Sequence, residues 1–265
     1  MGAVQKISRN MMFLTAGELV SKVLQFVLMV YAARLLDQAS FGKFSFALSL
    51  SFIAIIAADL GINQLLIREI ARNRKSVGKY FINAFAVKLA FALVTYIFII
   101  ILLNFLDYPK DTRYVVYAVW IFTIISNFTD LFYSVFRAFE RMFYDSMIKI
   151  LRMLLLTAIG LYVLFRGYGV LAFSIVFIAV EALMLLVAYL AATQKFMKLS
   201  FDIDFKFMKN LVKTSFPLGI AFIFSSIYFY IDSVMLSKMR GDVEVAVYSV
   251  AYNLALAILF IPAVY

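Results

Sequence analysis

Long apolar runs separated by short charged segments dominate the pattern of hydrophobic and polar positions along the chain. A helix needs about 20 residues to cross the roughly 30 Å hydrocarbon core of a bilayer, and eight of the runs reach that length. Transmembrane β-strands would alternate in polarity over about ten residues, which residues 92–105 do not do. The pattern predicts an all-α, polytopic membrane bundle of eight transmembrane helices. The predicted spans are residues 11–33, 44–67, 80–106, 114–136, 147–165, 170–192, 215–236 and 245–265.

The composition supports the membrane assignment and narrows the chemistry. Of 265 residues, 65% are hydrophobic and 15% charged, whereas a soluble domain is about half apolar and a quarter charged. The absence of Cys and His from the sequence excludes disulfides, thiol nucleophiles, imidazole catalysis and His or Cys metal sites. The sequence also has no P-loop, no Gly-rich phosphate cradle and no paired-carboxylate motif. We therefore expect a protein that is not an enzyme and needs no cofactor or metal.

The positive charges predict the orientation in the membrane, because cytoplasmic loops carry the excess of Lys and Arg. Fifteen such residues lie on the side of the N-terminus and seven on the other side, which predicts a cell-membrane protein with a cytoplasmic N-terminus. The net charge of +10 then reflects topology and contact with anionic lipids. Because the sequence has no basic soluble domain, we expect no nucleic-acid partner. The seven outer residues are Arg34, Lys43, Lys110, Arg113, Arg166, Lys238 and Arg240.

The longest segment between predicted spans, residues 193–214, predicts a boundary between two lobes. Its first half alternates in polarity, and its second half places Phe205, Met208 and Leu211 opposite Lys206 and Lys209, as in an interfacial amphipathic helix. We predict a first lobe of six helices (residues 1–193), a cytoplasmic amphipathic linker that acts as a hinge (194–214) and the start of a second lobe (215–265). A weak internal repeat, in which residues 42–50 align with 246–254, agrees with this division.

Charged and polar residues recur inside the predicted spans at helical spacing. Burying an ionised side chain at the bilayer centre costs about 2.5–3.5 kcal/mol, so such residues usually face a partner or a hydrated cavity. The pattern predicts a bundle with a polar interior. For individual residues simpler explanations stay open, such as an ion pair between Glu18 and Lys22 on one helix face or Ser and Thr that serve helix packing. The stripes are Glu18, Lys22 and Gln25; Ser45, Ser49, Asp59 and Asn63; Thr123, Asn127, Asp130, Ser134 and Arg137; and Asp145, Lys149 and Arg152.

Three stretches resemble a known family. They are Leu35-Leu36-Asp37-Gln38-Ala39-Ser40-Phe41-Gly42-Lys43-Phe44, then Asp59-Leu60-Gly61-Ile62 with Arg68-Glu69-Ile70-Ala71-Arg72, and Tyr230-Ile231-Asp232-Ser233-Val234-Met235-Leu236. In order and spacing they are similar to the polysaccharide and lipid-linked oligosaccharide flippases of the multidrug/oligosaccharidyl-lipid/polysaccharide export superfamily. The sequence departs from that pattern at Asp37, where Gly is commoner.

This resemblance implies two lobes that work by alternating access and move lipid-linked sugar precursors outward for surface polysaccharide, including lipopolysaccharide, biosynthesis. An anionic diphosphate head group favours cations in a hydrated cavity, and coupling to H⁺ or Na⁺ requires a carboxylate. The candidate phosphate contacts are Lys22, Lys88 and Arg152; the candidate sugar contacts are Asn63, Asn127, Tyr228 and Tyr230; and the ion-coupling candidates are Glu18, Asp59, Asp130, Glu181 and Asp232. Only Asp59 and Asp232 match the family motifs directly.

Other functions remain open at this point. A cation-coupled exporter of small molecules with the same fold would favour an acidic interior, against which Lys22, Lys88 and Arg152 argue. A membrane-embedded sugar ligase or polymerase would need a large outer loop, which the sequence lacks. A non-transporting assembly subunit would not need charged residues within the spans. Because the sequence ends inside an apolar run after two helices of the second lobe, we expect an incomplete transporter lacking roughly four to six helices. The alternative is a complete eight-helix protein that dimerises.

The orientation leads to a labelling prediction. A cysteine introduced at Ser40 should react with a membrane-impermeant maleimide added outside intact cells, and one at Ser76 should react only after the cells are opened. The sequence contains no cysteine, so the unsubstituted chain measures background. The reverse labelling pattern would overturn the predicted topology.

Overall fold

The computed structural model of the chain describes residues 3–197 and 202–263, and every regular element in them is helical. Side chains are described for residue 5 and for residues 10–197 and 202–255. The helices are α1 (Ala3–Leu35), α2 (Gln38–Asp59), α3 (Ile62–Arg72), α4 (Val77–Phe105), α5 (Lys110–Ala138), α6 (Met142–Phe165), α7 (Gly169–Lys195), α8 (Phe205–Arg240) and α9 (Asp242–Ala263), with a 3-10 turn at Arg74–Ser76 before α4.

The helical bundle predicted from the sequence is confirmed. Within the described residues seven segments are long and apolar enough to cross a bilayer, with α2 and α3 together forming one of them. This makes the chain a multi-pass membrane protein. Six of these segments contain the predicted spans 11–33, 80–106, 114–136, 147–165, 170–192 and 215–236 to within a residue, and most extend further at one or both ends. The eighth predicted span, 245–265, falls on α9 except for two residues outside the described part of the chain.

The second predicted span was wrong in one respect, because it is two helices rather than one. Helix α2 ends at Asp59, Leu60 takes a left-handed conformation (φ 47°), and α3 begins after Gly61 (φ 74°). A left-handed residue other than Gly costs about 1–2 kcal/mol, so neighbouring contacts must hold the break in place. Broken helices in membranes are tolerated where protein or a polar cavity covers the freed backbone groups.

Helices α2 and α5 form the centre of the bundle. Helix α2 packs against α5, α8 and α9, and α5 packs against α2, α3 and α7. Trp120 of α5 and Phe44 of α2 are completely buried, and the Phe44 ring lies 5.1 Å from that of Phe173 in α7. On the periphery α1 packs mainly on α6, where Gly17 lets the backbone approach Ser146. Such close crossings at small residues are typical of membrane helices, because lipid supplies no hydrophobic drive for association.

Two glycines allow α8 and α9 to approach α2 closely. A Cβ atom at Gly42 would overlap the backbone of Asp242 at the start of α9. A Cβ atom at Gly219 in α8 would lie 2.7 Å from the carbonyl carbon and oxygen of Leu60, at the break between α2 and α3. Helix α8 therefore covers the break, which explains how the exposed backbone of a split membrane helix is shielded.

The predicted amphipathic linker is not a separate helix. Residues 205–214 form the first turns of α8, which continues without interruption through Pro217 to Arg240. The alternating residues Leu199 and Phe201 lie outside the described residues. Before α8, Asp202 and Ile203 are non-helical, and the Asp204 side chain caps the helix by accepting a hydrogen bond from the backbone N–H of Phe207 (3.0 Å). Hydrogen bonds to Phe207 and Lys79 lower the pKa of the Asp204 carboxyl. How the lobes divide along α8 stays a prediction.

Candidate functional site

A completely buried lysine forms the first of three polar clusters inside the bundle. Lys88 of α4 has no exposed surface, and its Nζ lies 2.7 Å from Asp59 Oδ1. The same Nζ donates to Asn63 Oδ1 (2.9 Å) and to both the side-chain and backbone oxygens of Asn127 (2.6 and 3.0 Å). The sequence-predicted residues Lys88, Asp59, Asn63 and Asn127 therefore meet at one point.

The lysine in this cluster is fully engaged. An ammonium group has three N–H donors, and all three are directed to oxygens of Asn63 and Asn127. Asp59 Oδ1 makes no aligned hydrogen bond, so the carboxylate balances the charge as a close neighbour. Asp59 ends one helix and Asn63 lies in the first turn of the next, so residues on both sides of the break after α2 contact the lysine.

The cluster lies deep in the membrane. At 1.5 Å per residue, Lys88 is about 17 Å along α4 from Val77, roughly half the thickness of a bilayer core. Leaving one partner of a buried ion pair without the other costs about 3–5 kcal/mol. The pairing therefore stabilises the fold, and it leaves no Lys88 proton free for a substrate.

A second cluster lies between α5, α6 and α7. Arg152 Nη1 lies 3.3 Å from Glu181 Oε2, and Glu181 is 1% exposed. Arg152 Nε and the Tyr133 hydroxyl are both buried without a hydrogen-bond partner in the described part of the chain. Asp130 lies close enough to Arg152 and Glu181 for their charges to interact, and no ion pair to its carboxylate is found among the described residues. This cluster retains unused hydrogen-bond donors, whereas the donors of Lys88 in the first cluster are all engaged.

A third cluster lies nearer the end of the bundle at which α6 begins. Asp145, completely buried, accepts from Arg137 Nε at 2.6 Å and lies 3.3 Å from Lys149 Nζ, and Lys149 also pairs with Glu18 of α1 at 2.5 Å. Glu18 thus pairs across helices, and the alternative pair with Lys22 does not form. Lys22 is exposed on α1 and has no ion pair within the described residues.

The three clusters share α5, whose polar stripe was predicted from the sequence. Asn127 contacts the first cluster, Asp130 the second and Arg137 the third, at helical spacing along one face. The hydroxyls of Thr123 and Ser134 bond instead to carbonyls of α5 itself, so these two residues do not extend the network. The stripe therefore combines inter-helix contacts with purely local ones.

The remaining predicted site residues lie apart from these clusters. Tyr228 is 78% exposed, the Tyr230 ring packs 5.3 Å from that of Phe52, and Asp232 accepts a hydrogen bond from the Tyr248 hydroxyl. Sequence reasoning missed Tyr133 and Tyr248 because an isolated Tyr in a span resembles any packing residue. The sequence did contain a signal for Tyr133, which lies three residues after Asp130 and therefore on the polar stripe of α5.

Comparison with known proteins gave one match. A family model described as polysaccharide biosynthesis protein matches residues 7–265, nearly the whole chain. No curated protein and no solved structure showed a significant match.

The Lys88 cluster leads to a stability prediction. Lys88→Met leaves the partly buried carboxylate of Asp59 without its cation and should lower the free energy of unfolding by up to about 3 kcal/mol, seen as a lower Tm in detergent. Adding Asp59→Asn should recover part of the loss, because the unpaired charge is removed.

The exposed Lys110, at the start of α5, offers a matched control, since Lys110→Gln should change stability by less than about 0.5 kcal/mol. Equal Tm values for Lys88→Met and Lys110→Gln would contradict the structural role of Lys88.

Proposed function

The chain belongs to the polysaccharide biosynthesis protein family, a family of flippases for polysaccharides and lipid-linked oligosaccharides, and we propose that it moves a lipid-linked oligosaccharide across the cell membrane by alternating access. The transported group is a polyprenyl diphosphate sugar, and the product serves surface polysaccharide synthesis. The chain acts as a carrier rather than as an enzyme and uses no cofactor or metal.

The observation that carries this proposal is the state of Arg152. Its guanidinium uses Nη1 on Glu181, while Nε is buried and has no partner in the described residues. Arg binds diphosphate oxygens through paired N–H donors, and such charge-assisted bonds are roughly twice as strong as neutral ones. Arg152 therefore supports a phosphate contact better than Lys88, whose three protons are already engaged.

The sugar contacts require a similar revision. Asn63 and Asn127 are occupied by Lys88, which argues for a structural role. Tyr230, Tyr248 and Asp232 remain as aromatic and carboxylate groups on α8 and α9, and an aromatic ring with a nearby hydrogen-bond acceptor suits a sugar. We assign Tyr228 and Lys22, both exposed, to contacts with lipid tails or head groups.

The proposed orientation puts the N-terminus in the cytoplasm. Exposed Arg68, Arg72 and Lys195 lie at the end where α3 and α7 finish, the end that the excess of positive charge assigns to the cytoplasmic side. The anionic inner leaflet attracts this end, and the substrate is also made there, so the basic end faces the side from which transport starts.

Asp130 is the proposed site of coupling to a proton or sodium gradient. Its charge interacts with those of Lys88, Glu181 and Arg152, and among the described residues its carboxylate has no direct ion pair. A carboxylate in that position changes the charge around Arg152 when it binds a cation. Release of the cation would therefore alter how strongly Arg152 attracts a diphosphate.

Arg152 gives the central test of this function. In a strain that lacks its own flippase, Arg152→Ala in the full-length gene product should reduce surface glycan by about tenfold or more when delivery is normalised to membrane abundance, because the unpaired Glu181 also lowers stability. Arg152→Lys should retain an intermediate amount, since it keeps the charge but loses the paired donors.

A neutralised pair separates binding from structure. Arg152→Ala with Glu181→Gln removes the uncompensated carboxylate, so folding should recover while glycan delivery stays low. Wild-type delivery by this double variant would contradict the substrate role of Arg152. Export of organic cations in place of glycan delivery would favour the exporter alternative.

Asp130 gives a test of coupling. Asp130→Asn keeps the shape and removes the charge, so transport into proteoliposomes should lose its stimulation by an imposed H⁺ or Na⁺ gradient while gradient-independent transport persists. Asp107→Asn, at an exposed carboxylate outside the spans, is the matched control. Gradient stimulation that survives Asp130→Asn would rule out this residue as the coupling site.

A further inference from the structure

The segment before α8 is fixed to α4 by an asparagine with no exposed surface. Asn83 Nδ2 donates to the carbonyl oxygen of Asp202 (2.9 Å), and Asn83 Oδ1 accepts from the backbone N–H of Asp204 (2.9 Å). Nδ2 also donates to the carbonyl oxygen of Lys79 one turn earlier in α4 (2.8 Å). One side chain thus provides both hydrogen bonds to an extended segment, as a neighbouring strand would.

Charge pairing reinforces this attachment. Lys79 Nζ lies 3.0 Å from Asp204 Oδ2 and 3.9 Å from Asp202 Oδ2. These groups are more than a third exposed, so the ion pairs add orientation and little free energy. The same Asp204 carboxylate caps α8, which links the start of that helix to α4 through a single side chain.

Packing extends the attachment into the first turns of α8. The Phe207 ring lies edge-on to Tyr80 of α4 with a centroid distance of 4.9 Å, and Lys79 Nζ lies 5.1 Å from the centre of the Phe207 ring. One turn further, Leu211 is 3% exposed. Hydrogen bonds, an ion pair and ring packing therefore all join residues 202–207 to α4, an element of the predicted first lobe.

The next residues of α8 are built differently. Pro217 has no N–H, so the carbonyl of Lys213 loses its helical partner and the helix is weakened at this turn. Gly219 follows without a side chain, and beyond it α8 packs along α2 and α9. The strongest attachment to α4 and the weakest turn of the helix are thus adjacent.

We propose that residues 202–214 move as part of the first lobe throughout transport, and that the two lobes pivot within α8 at Pro217 instead of in the linker. This inference rests on the proposed alternating-access function, because it says which part of the chain bends. Residues 202–207, which we call the staple, stay attached to α4, and the pivot lies inside the transmembrane helix α8.

Hydrogen exchange tests the staple without any transport assay. In the full-length protein in nanodiscs, amides of residues 206–212 should exchange as slowly as those of the first turns of α4, and residues 214–219 should exchange faster. Asn83→Ala should speed exchange over residues 203–208 by about tenfold and leave α5 unchanged, because two hydrogen bonds that close the segment are lost.

Asn210→Ala is the matched control for this measurement, since Asn210 is exposed and its side chain makes no hydrogen bond within the described residues. Equal exchange in Asn83→Ala and wild type would overturn the staple. Faster exchange at 206–212 than at 214–219 in the wild type would overturn the position of the pivot.

Cross-linking tests whether the staple stays closed during transport. Lys79→Cys with Asp204→Cys, joined by a short bis-maleimide that carries a reducible bond, should transport as well as the uncross-linked double variant. Loss of transport on cross-linking, restored by reduction, would show that the segment opens in each cycle and would overturn the proposal. The cysteine-free parent treated with the same reagent controls for side reactions. If even the parent moves no lipid-linked sugar, the proposed function fails, and the exchange experiment still decides whether the staple exists.

Discussion

The need to neutralise a lysine in the middle of the membrane governs the centre of this protein. Lys88 is completely buried, and its neighbours come from α2, α3 and α5. Asp59 and Asn63, on either side of the left-handed turn at Leu60 and Gly61, both contact the ammonium group, so the turn lies within the Lys88 cluster. The backbone groups freed at that turn must be shielded from lipid, and α8 shields them through the close approach of Gly219 to Leu60.

Helix α5 connects this structural cluster to groups that remain available for chemistry. Its Asn127 completes the shell of Lys88, while Asp130 and Tyr133, less than two turns further on, interact electrostatically with Arg152 and Glu181. The donors of Lys88 are all engaged, whereas Arg152 Nε and the Tyr133 hydroxyl lack partners among the described residues. A cluster whose cation is fully engaged next to one with free donors suits the proposed carrier, because the free donors can bind substrate while the engaged cation holds the helices in place.

The proposed movement between lobes requires these clusters to stay intact, since breaking any of them would leave a charge unpaired inside the membrane. All three lie among the helices α1–α7 and none includes a residue of α8 or α9. The staple at Asn83 adds the start of α8 to this rigid set, and Pro217 marks the turn at which the helical hydrogen bonding of α8 is interrupted. The charge distribution thus separates a region held by buried ion pairs from one held by small-residue packing.

The sequence alone determined the class of the protein, the rough position of seven of its spans and the polar stripe of α5, because apolar run length and helical spacing are local properties. It also identified Lys88, Asp59, Asn63 and Asn127, because ionisable residues in a span are conspicuous. Only the tertiary structure decided which groups are consumed and which remain free: Glu18 pairs with Lys149 and not with Lys22, and Lys88 is saturated while Arg152 is not. It also decided that α2 breaks and that the linker continues into α8. These outcomes depend on contacts between residues that are far apart in the sequence. The pattern of residues along one chain does not give the distances between such residues.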